Sequence, residues 1–136
     1  MFYCHMREDI RTFALDRIKQ VVSLDKHFLP RKDFSPDKYM KQCWKQYAFG
    51  EPIEIVIRFS PRAVPLIKRK KWHASQEITE HPDGYLDMKV TVSGTEEIMR
   101  WILTWGCNAE VISPKSLRQQ IKTEAQNLLS LYSSKK

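Results

Sequence analysis

Residues 53–59 read Ile53-Glu54-Ile55-Val56-Ile57-Arg58-Phe59, and this stretch has a clean alternation of side chains. Its odd-numbered residues are large and apolar, whereas two of the three residues between them are charged. Successive side chains of a strand point to opposite faces of a sheet, so the pattern predicts a strand with one buried face. Such a strand needs hydrogen-bonded neighbours, and we look for them in the residues on either side.

The residues that follow predict a helix and a hairpin. Ser60-Pro61 opens a helix that runs to about residue 71, and Pro65 either distorts its first turn or moves its start downstream. Residues 75–80 predict a short polar strand. The residues 81–84 are typical of a turn, and the alternation over 86–92 predicts the return strand of a hairpin.

Two further helices and one strand complete this part of the chain. Ser93 and Glu96 fit a capping box before a helix that ends near Gly106. Residues 109–112 predict a short strand, and Ser113-Pro114 starts a last helix. The apolar stripe of that helix consists of Leu117, Ile121, Ala125, Leu128 and Tyr132. The order of elements predicts an α+β fold, in which residues 53–133 form a ferredoxin-like βαββαβ domain with an extra C-terminal helix.

Residues 35–52 are interpreted as a linker that contains a short helix. Ser35-Pro36 offers an N-cap and a proline at the first helical position, and the helix is expected over 36–47. Gly50 and Pro52 end it, so the domain boundary is placed before residue 53.

Residues 1–34 predict strands of a separate sheet. Phe2-Tyr3-Cys4 and residues 20–24 are expected to be short strands, and residues 11–18 alternate. In a straight strand Arg11, Phe13 and Arg17 would share one face, with about 20 Å between the two guanidinium groups.

The formal net charge is +7, from 23 Lys and Arg against 16 Asp and Glu. This excess favours a polyanionic partner such as nucleic acid, although a well-solvated basic surface explains it equally well. The three cysteines are widely spaced and have no zinc-ligand pattern, so we expect reduced thiols. No apolar run is long enough for a membrane span and the N-terminus has no basic-then-apolar signal pattern, so a cytoplasmic location is expected.

Known catalytic patterns do not occur in the sequence. The chain lacks G-x-S-x-G, a phosphate-binding glycine loop and H-E-x-x-H. We therefore expect no enzyme activity, no catalytic residue, no metal site and no cofactor.

Several strings together resemble one family. Tyr3-Cys4-His5-Met6-Arg7, followed by residues 11–18 (Arg-Thr-Phe-Ala-Leu-Asp-Arg-Ile), is similar to the second half of the WYL domain of bacterial transcription regulators. Residues 56–62, 72–76, 93–94 and 97–106 look like the C-terminal extension of those regulators, the WCX domain. The resemblance covers nearly the whole chain.

The resemblance implies a three-part architecture. A winged helix-turn-helix binds DNA, a WYL domain with an Sm-like or SH3-like barrel binds a ligand, and the ferredoxin-like extension helps dimerisation. The helix-turn-helix and the Trp-Tyr-Leu triplet would lie before Met1, so residues 1–34 are expected to hold about the last two strands of the barrel. The implied ligand is nucleic acid, often single-stranded DNA, or another anionic effector.

The candidate ligand contacts combine the resemblance with residue chemistry. Arginine forks match phosphate oxygens, and an aromatic ring between them can stack on a base. The candidates are His5, Arg7, Arg11, Phe13, Arg17, Arg58 and Arg62. The alternatives are that Arg17 pairs with Asp16, that Phe13 is core and that His5 is structural.

Two other groups also have two interpretations. The run of residues 68–71 either suits the negative end of a helix dipole or adds phosphate contacts with Arg58 or Arg62. Trp72, Trp101 and Trp105 are expected in the core or in a dimer contact.

The leading hypothesis is a non-catalytic module that binds an effector and forms a homodimer within a transcription regulator. One alternative is a pure oligomerisation module that pairs through the tryptophan-bearing helices. Another is a truncated regulator whose half-barrel is unstable alone.

Overall fold

The structure is a computed structural model that describes residues 2–27, 34–44 and 50–133. The chain divides into two compact units, residues 1–36 and 37–136, and each is described by itself. Among the described residues, no helix is both long and apolar enough to cross a bilayer.

The first unit contains an antiparallel hairpin. Strand β1 (Phe2–Cys4) pairs with strand β2 (Asp9–Arg11), and Tyr3 lies opposite Ile10. The turn between them is closed by the Arg7 amide, which donates to the Cys4 carbonyl at 3.1 Å, and Glu8 adopts φ 51°. The described part of this unit therefore has two paired strands and no closed barrel.

Two strand predictions in the first unit are wrong. The chain leaves the ladder after Arg11, and Leu15–Arg17 forms a 3-10 helix. Residues 20–24 form no strand, and Val21 is 82% exposed. The alternation failed because β1 offers β2 only three residues to pair with, and an apolar side chain without a packed face does not define a strand.

The second unit begins with helix α1 (Pro36–Gln42), whose start agrees with the prediction from Ser35-Pro36. The sequence extends this helix to residue 47, but 45–49 lie outside the described residues. Cys43 and Trp44, which follow α1, are both buried.

A four-stranded antiparallel sheet forms the centre of the second unit. Its strands are β3 (Pro52–Phe59), β4 (Glu77–Glu80), β5 (Leu86–Ser93) and β6 (Ala109–Ser113). They lie in the order β4-β5-β3-β6, which is the second, third, first and fourth strand of this unit. This is the strand order of the ferredoxin-like fold, so the α+β prediction is confirmed.

Two strands of this sheet supply most of its buried face. Ile55, Ile57 and Phe59 of β3 are completely buried. Every second residue of β5 is buried as well, namely Leu86, Met88, Val90 and Val92. The opposite face carries Glu54, Arg58, Asp87 and Lys89, so the alternation in the sequence correctly separates the two faces.

Three helices accompany the sheet: α2 (Val64–Ile67), α3 (Glu96–Leu103) and α4 (Lys115–Ser133). Helix α2 starts downstream of Pro61, which agrees with the delayed start that Pro65 allowed, and it ends before residue 71. The Trp72 indole N–H donates to the Ile67 carbonyl at 2.9 Å, which satisfies an acceptor at the end of this short helix.

The predicted capping box is wrong. Ser93 belongs to β5, and Thr95 is the N-cap of α3 without a side-chain hydrogen bond to the helix. The strand β5 thus extends one residue into the region that the sequence assigned to the cap. Gly106 has φ 57°, a conformation that favours glycine and suits the end of a helix.

Candidate functional site

The candidate basic residues of the first unit lie along the hairpin and the segment after it. His5 and Arg7 are in the turn between β1 and β2, and the His5 ring packs edge-on against Tyr3 with 5.1 Å between ring centroids. Arg11 ends β2 opposite Phe2. The hairpin therefore separates Arg7 and Arg11 along its length.

Phe13 and Arg17 are no longer on the strand that carries Arg11. Phe13 lies in the irregular segment between β2 and the 3-10 helix, and Arg17 ends that helix. The predicted single face, with its straight spacing of about 20 Å, is therefore wrong. The residues themselves remain candidates for a ligand contact.

Three arginine side chains in the described part of this unit are available for an anion. Arg7, Arg11 and Arg17 are exposed, and none of them forms an ion pair with a carboxylate in the described part of the chain. Asp16 does not pair with Arg17, although the sequence allowed it. An exposed guanidinium without a carboxylate keeps its full set of donors for phosphate oxygens.

In the second unit Arg58 has a different role from the one the sequence proposed. Its Nε and Nη2 atoms both donate to the Asp87 carboxylate at 2.8 Å, and His81 Nε2 lies 2.9 Å from the same carboxylate. The hydrogen bond to Asp87 raises the pKa of Arg58, and the hydrogen bond from Arg58 lowers the pKa of Asp87. Since this fork is already bound by a carboxylate, Arg58 is a poor candidate for phosphate.

Of the other basic residues near α2, some have partners within the fold and others remain exposed without an ion pair among the described residues. Arg62 is exposed and has no ion pair within the described residues. Lys68 pairs with Glu80 at 2.8 Å, and the Lys70 ammonium lies 4.2 Å from the centre of the Trp72 ring. The run of residues 68–71 thus contributes to local structure, and only part of it is free for a ligand.

All four tryptophans of the chain lie in one aromatic cluster. Trp101 is its centre, with ring centroids at 4.7 Å from Trp44, 5.0 Å from Trp72 and 5.7 Å from Trp105. Phe59 completes the cluster from the sheet. The core interpretation of these tryptophans is confirmed for Trp101, which is 7% exposed.

The sequence interpretation missed Trp44 as a member of this cluster. It assigned Trp44 to a linker, whereas the residue lies in the core of the second unit and stacks on His73 with 5.8 Å between the ring centroids. The one available signal was the helical spacing of Met40, Cys43 and Trp44, which marks a buried stripe but does not identify its partner.

His73 joins the end of α1 to the sheet. The Ser75 amide donates to Nδ1 at 3.2 Å, so Nε2 carries the proton and donates to the Cys43 carbonyl at 3.1 Å. Burial lowers the pKa of His73, which favours this neutral form. No group of three metal-ligating side chains occurs among the described residues. Both ring nitrogens of His73 are held by hydrogen bonds within the fold, so the residue has a structural role.

The chain is similar in sequence to known proteins over most of its length. Residues 51–129 match the model of the WCX domain. Over 128 residues the chain is 23% identical to Protein PafC of Mycobacterium tuberculosis, in the strains CDC 1551 / Oshkosh and ATCC 25618 / H37Rv. This match covers 92% of the chain but only 38% of the length of either relative.

Proposed function

The chain belongs to the WCX domain family, and we propose that it is a non-catalytic, effector-binding and dimerising part of a bacterial transcription regulator that acts in the cytoplasm. The effector is an anion, and single-stranded DNA is the form that we favour. The proposal rests on family membership for the regulatory role and on the first unit for the ligand.

The observation that carries the ligand is the set of exposed arginines in the first unit. Arg7, Arg11 and Arg17 have no carboxylate partner in the described residues, in contrast to Arg58. An anion that reaches Arg58 has to displace Asp87, whereas one that reaches Arg11 or Arg17 has no described carboxylate to displace. Single-stranded DNA fits this arrangement because its phosphates can follow separate arginines and its bases can stack on an exposed ring such as Phe13, which is 43% exposed.

A salt-dependent titration tests the proposal. Fluorescein-labelled single-stranded DNA of about 12 nucleotides is titrated with the whole chain, and the affinity is compared at low and high salt. If three phosphates are contacted, the affinity falls by roughly 20-fold between about 50 and 200 mM salt. Arg11→Ala and Arg17→Ala each lower both the affinity and the salt dependence, whereas Arg100→Ala, an exposed arginine of α3, changes neither.

The nucleic-acid assignment fails if the affinity does not depend on salt, or if Arg100→Ala weakens binding as much as Arg11→Ala does. A double-stranded oligonucleotide of the same length is the control for strand type. Preference for it would argue against base stacking on exposed aromatic side chains.

A specific observation supports a second candidate, an oligomerisation module without a ligand of its own. The tryptophans pack within the protomer, but the last part of α4 exposes Leu128, Leu129, Leu131 and Tyr132. Exposed apolar side chains on consecutive turns are typical of a helix that packs against another surface. The dimer contact is therefore proposed at α4 and no longer at the tryptophan-bearing helices.

Sedimentation velocity tests the dimer contact, and together with the oligonucleotide titration it distinguishes the two candidates. If α4 holds the dimer together, Leu131→Ser shifts the chain toward the monomer, and Gln126→Ser on the same helix does not. The oligomerisation module would be favoured if the chain is a dimer that binds no oligonucleotide and if Arg11→Ala leaves the monomer–dimer equilibrium unchanged. A wild-type chain that is monomeric at all concentrations would contradict both the module and the dimer.

A further inference from the structure

A groove runs between the outer edge of the sheet and helix α4. Strand β6 forms one wall, through Ala109, Glu110 and Val111, and α4 forms the other. The volume of the groove is about 490 Å³, which is within the range of sites that hold a ligand or part of a peptide. Neither wall includes a residue that the proposed effector site uses.

The strand wall presents backbone groups to this groove. Strand β6 pairs with β3 on one side only, and no other described strand pairs with it. The Ser60 amide donates to the Asn108 carbonyl, and Arg58 lies opposite Glu110 in the ladder. Glu110 therefore faces β3, and Ala109 and Val111 direct their backbone groups to the free edge. Arg118 confirms this direction, because its Nη1 atom donates to the Val111 carbonyl at 2.7 Å.

The helix wall is basic. Lys115, Arg118 and Lys122 are spaced by three and four residues, so they share one face of α4, and all three are exposed. Glu110 is the acidic residue of the groove, and it pairs with Arg118 at 2.6 Å. The side chains of Val111 and Ile121 give the floor of the groove an apolar part.

We propose that this groove binds an extended acidic peptide segment, which adds to β6 as a fifth strand of the sheet. The backbone of the segment pairs with Ala109 and with the Val111 amide. Its carboxylates meet Lys115 and Lys122. On binding, Arg118 leaves the Val111 carbonyl, which then accepts from an amide of the segment, and donates instead to a carboxylate of the segment. Backbone pairing at an exposed edge gives affinity with little demand on sequence, and the charged helix face selects for acidic side chains.

The opposite edge of the same sheet explains why the segment should choose β6. Strand β4 carries Glu77 and Glu80, and both carboxylates are already paired, with Lys89 at 2.6 Å and Lys68 at 2.8 Å. At the β4 edge each of the two carboxylates is matched by one lysine, whereas three cations line the β6 groove against the one carboxylate of Glu110. An acidic strand would therefore gain more at β6, because opposite charges on neighbouring elements attract and like charges repel. The two free edges of the sheet therefore differ in the charge of the strand that they accept.

The experiment uses the whole, isotope-labelled chain and an acetylated octapeptide of alternating glutamate and valine. We expect the amide resonances of residues 109–111 to shift on titration, and those of 77–80 to stay in place. The Lys115→Glu/Lys122→Glu double variant weakens binding by about tenfold, since it reverses two charges at the groove. A variant with the same change in net charge elsewhere, Arg69→Glu/Arg100→Glu, keeps the wild-type affinity.

A second peptide separates backbone pairing from charge. The same octapeptide with alternate N-methylated amides retains its carboxylates but cannot pair along one edge, and it should bind about tenfold more weakly. Equal affinity for the two peptides would overturn the proposal, as would shifts at 77–80.

The same titrations distinguish two other possible occupants of the groove, an oligonucleotide and a second copy of the chain. If an oligonucleotide of equal charge shifts residues 109–111 at lower concentration than the peptide, the groove is a nucleic-acid site and the proposal is wrong. If the resonances of 109–111 and 77–80 shift together with protein concentration in the absence of peptide, two copies of the chain pair through their edges, and this also overturns the proposal.

Discussion

Replacing Trp44 with alanine tests how much the residues just after α1 stabilise the second unit, to which they belong. The Trp44 side chain is 6% exposed, lies 4.7 Å from the Trp101 ring centroid and stacks on His73. If this packing is part of the domain core, the substitution removes a large buried ring and leaves a cavity against the aromatic cluster.

The magnitude follows from these contacts. Truncation of a buried aromatic ring to alanine costs about 3–5 kcal/mol in the free energy of unfolding. The lost ring pairs with Trp101 and His73 account for part of that value, since an aromatic pair contributes about 0.5–1.5 kcal/mol beyond the area it buries. A typical domain has only about 5–15 kcal/mol of stability, so Trp44→Ala should leave the second unit marginally stable.

Urea unfolding followed by far-ultraviolet circular dichroism measures the effect without relying on the tryptophans themselves. Met40→Ala is the matched control, because Met40 is on α1 and is 44% exposed. We expect the control to cost less than about 1 kcal/mol. In Trp44→Ala the pKa of His73 should also rise toward its ordinary value, because burial is the main cause of its shift.

Equal costs for Trp44→Ala and Met40→Ala would refute this reasoning. They would mean that the segment after α1 lies on the second unit without stabilising it. A low pKa of His73 that persists in Trp44→Ala would show that other neighbours desolvate the imidazole.

Two further predictions concern titratable groups. The free energy of unfolding should fall as the pH drops below about 6.5, because the unfolded chain then protonates His73 while the folded chain keeps it neutral down to its lowered pKa; His73→Asn should remove this part of the slope in urea titrations at several pH values. Arg58→Ala should raise the pKa of Asp87 toward 3.8, as measured by carboxyl NMR, because the hydrogen bond from Arg58 is the main cause that lowers it, whereas Arg62→Ala should leave that pKa unchanged.

Much of the second unit could be predicted from local patterns. The alternation in residues 53–59 and 86–92 identified the two strands that provide most of the buried face, and their burial follows that alternation closely. The turn at residues 81–84 was also recognisable from its residue types. In the structure Gly84 adopts φ 84° at the position where the hairpin reverses. Strands and turns of this kind are encoded within a few residues of each other.

The first unit was predicted less well because the alternating residues after Arg11 have no neighbouring strand to pair with. Arg11, Phe13, Leu15 and Arg17 alternate as a strand would, yet the ladder ends at Arg11. Side-chain periodicity describes a face that could be buried. Whether a strand forms depends on hydrogen bonds to a neighbour, and the three residues of β1 supply too few.

The sequence by itself determined the order of elements and the buried face of each strand in the second unit, because both depend on the period of apolar side chains along a short stretch of chain. It also indicated the family through its ordered strings, and the WCX domain match over residues 51–129 confirms that part. Only the tertiary structure decided which charged side chains are already paired. The sequence does not distinguish Arg58 from Arg11, because both are arginines in predicted strands. In the structure the register of β3 against β5 places Asp87 beside Arg58, whereas no described carboxylate pairs with Arg11. The same is true of Trp44, whose partners Trp101 and His73 are distant in sequence and meet it only when the chain folds.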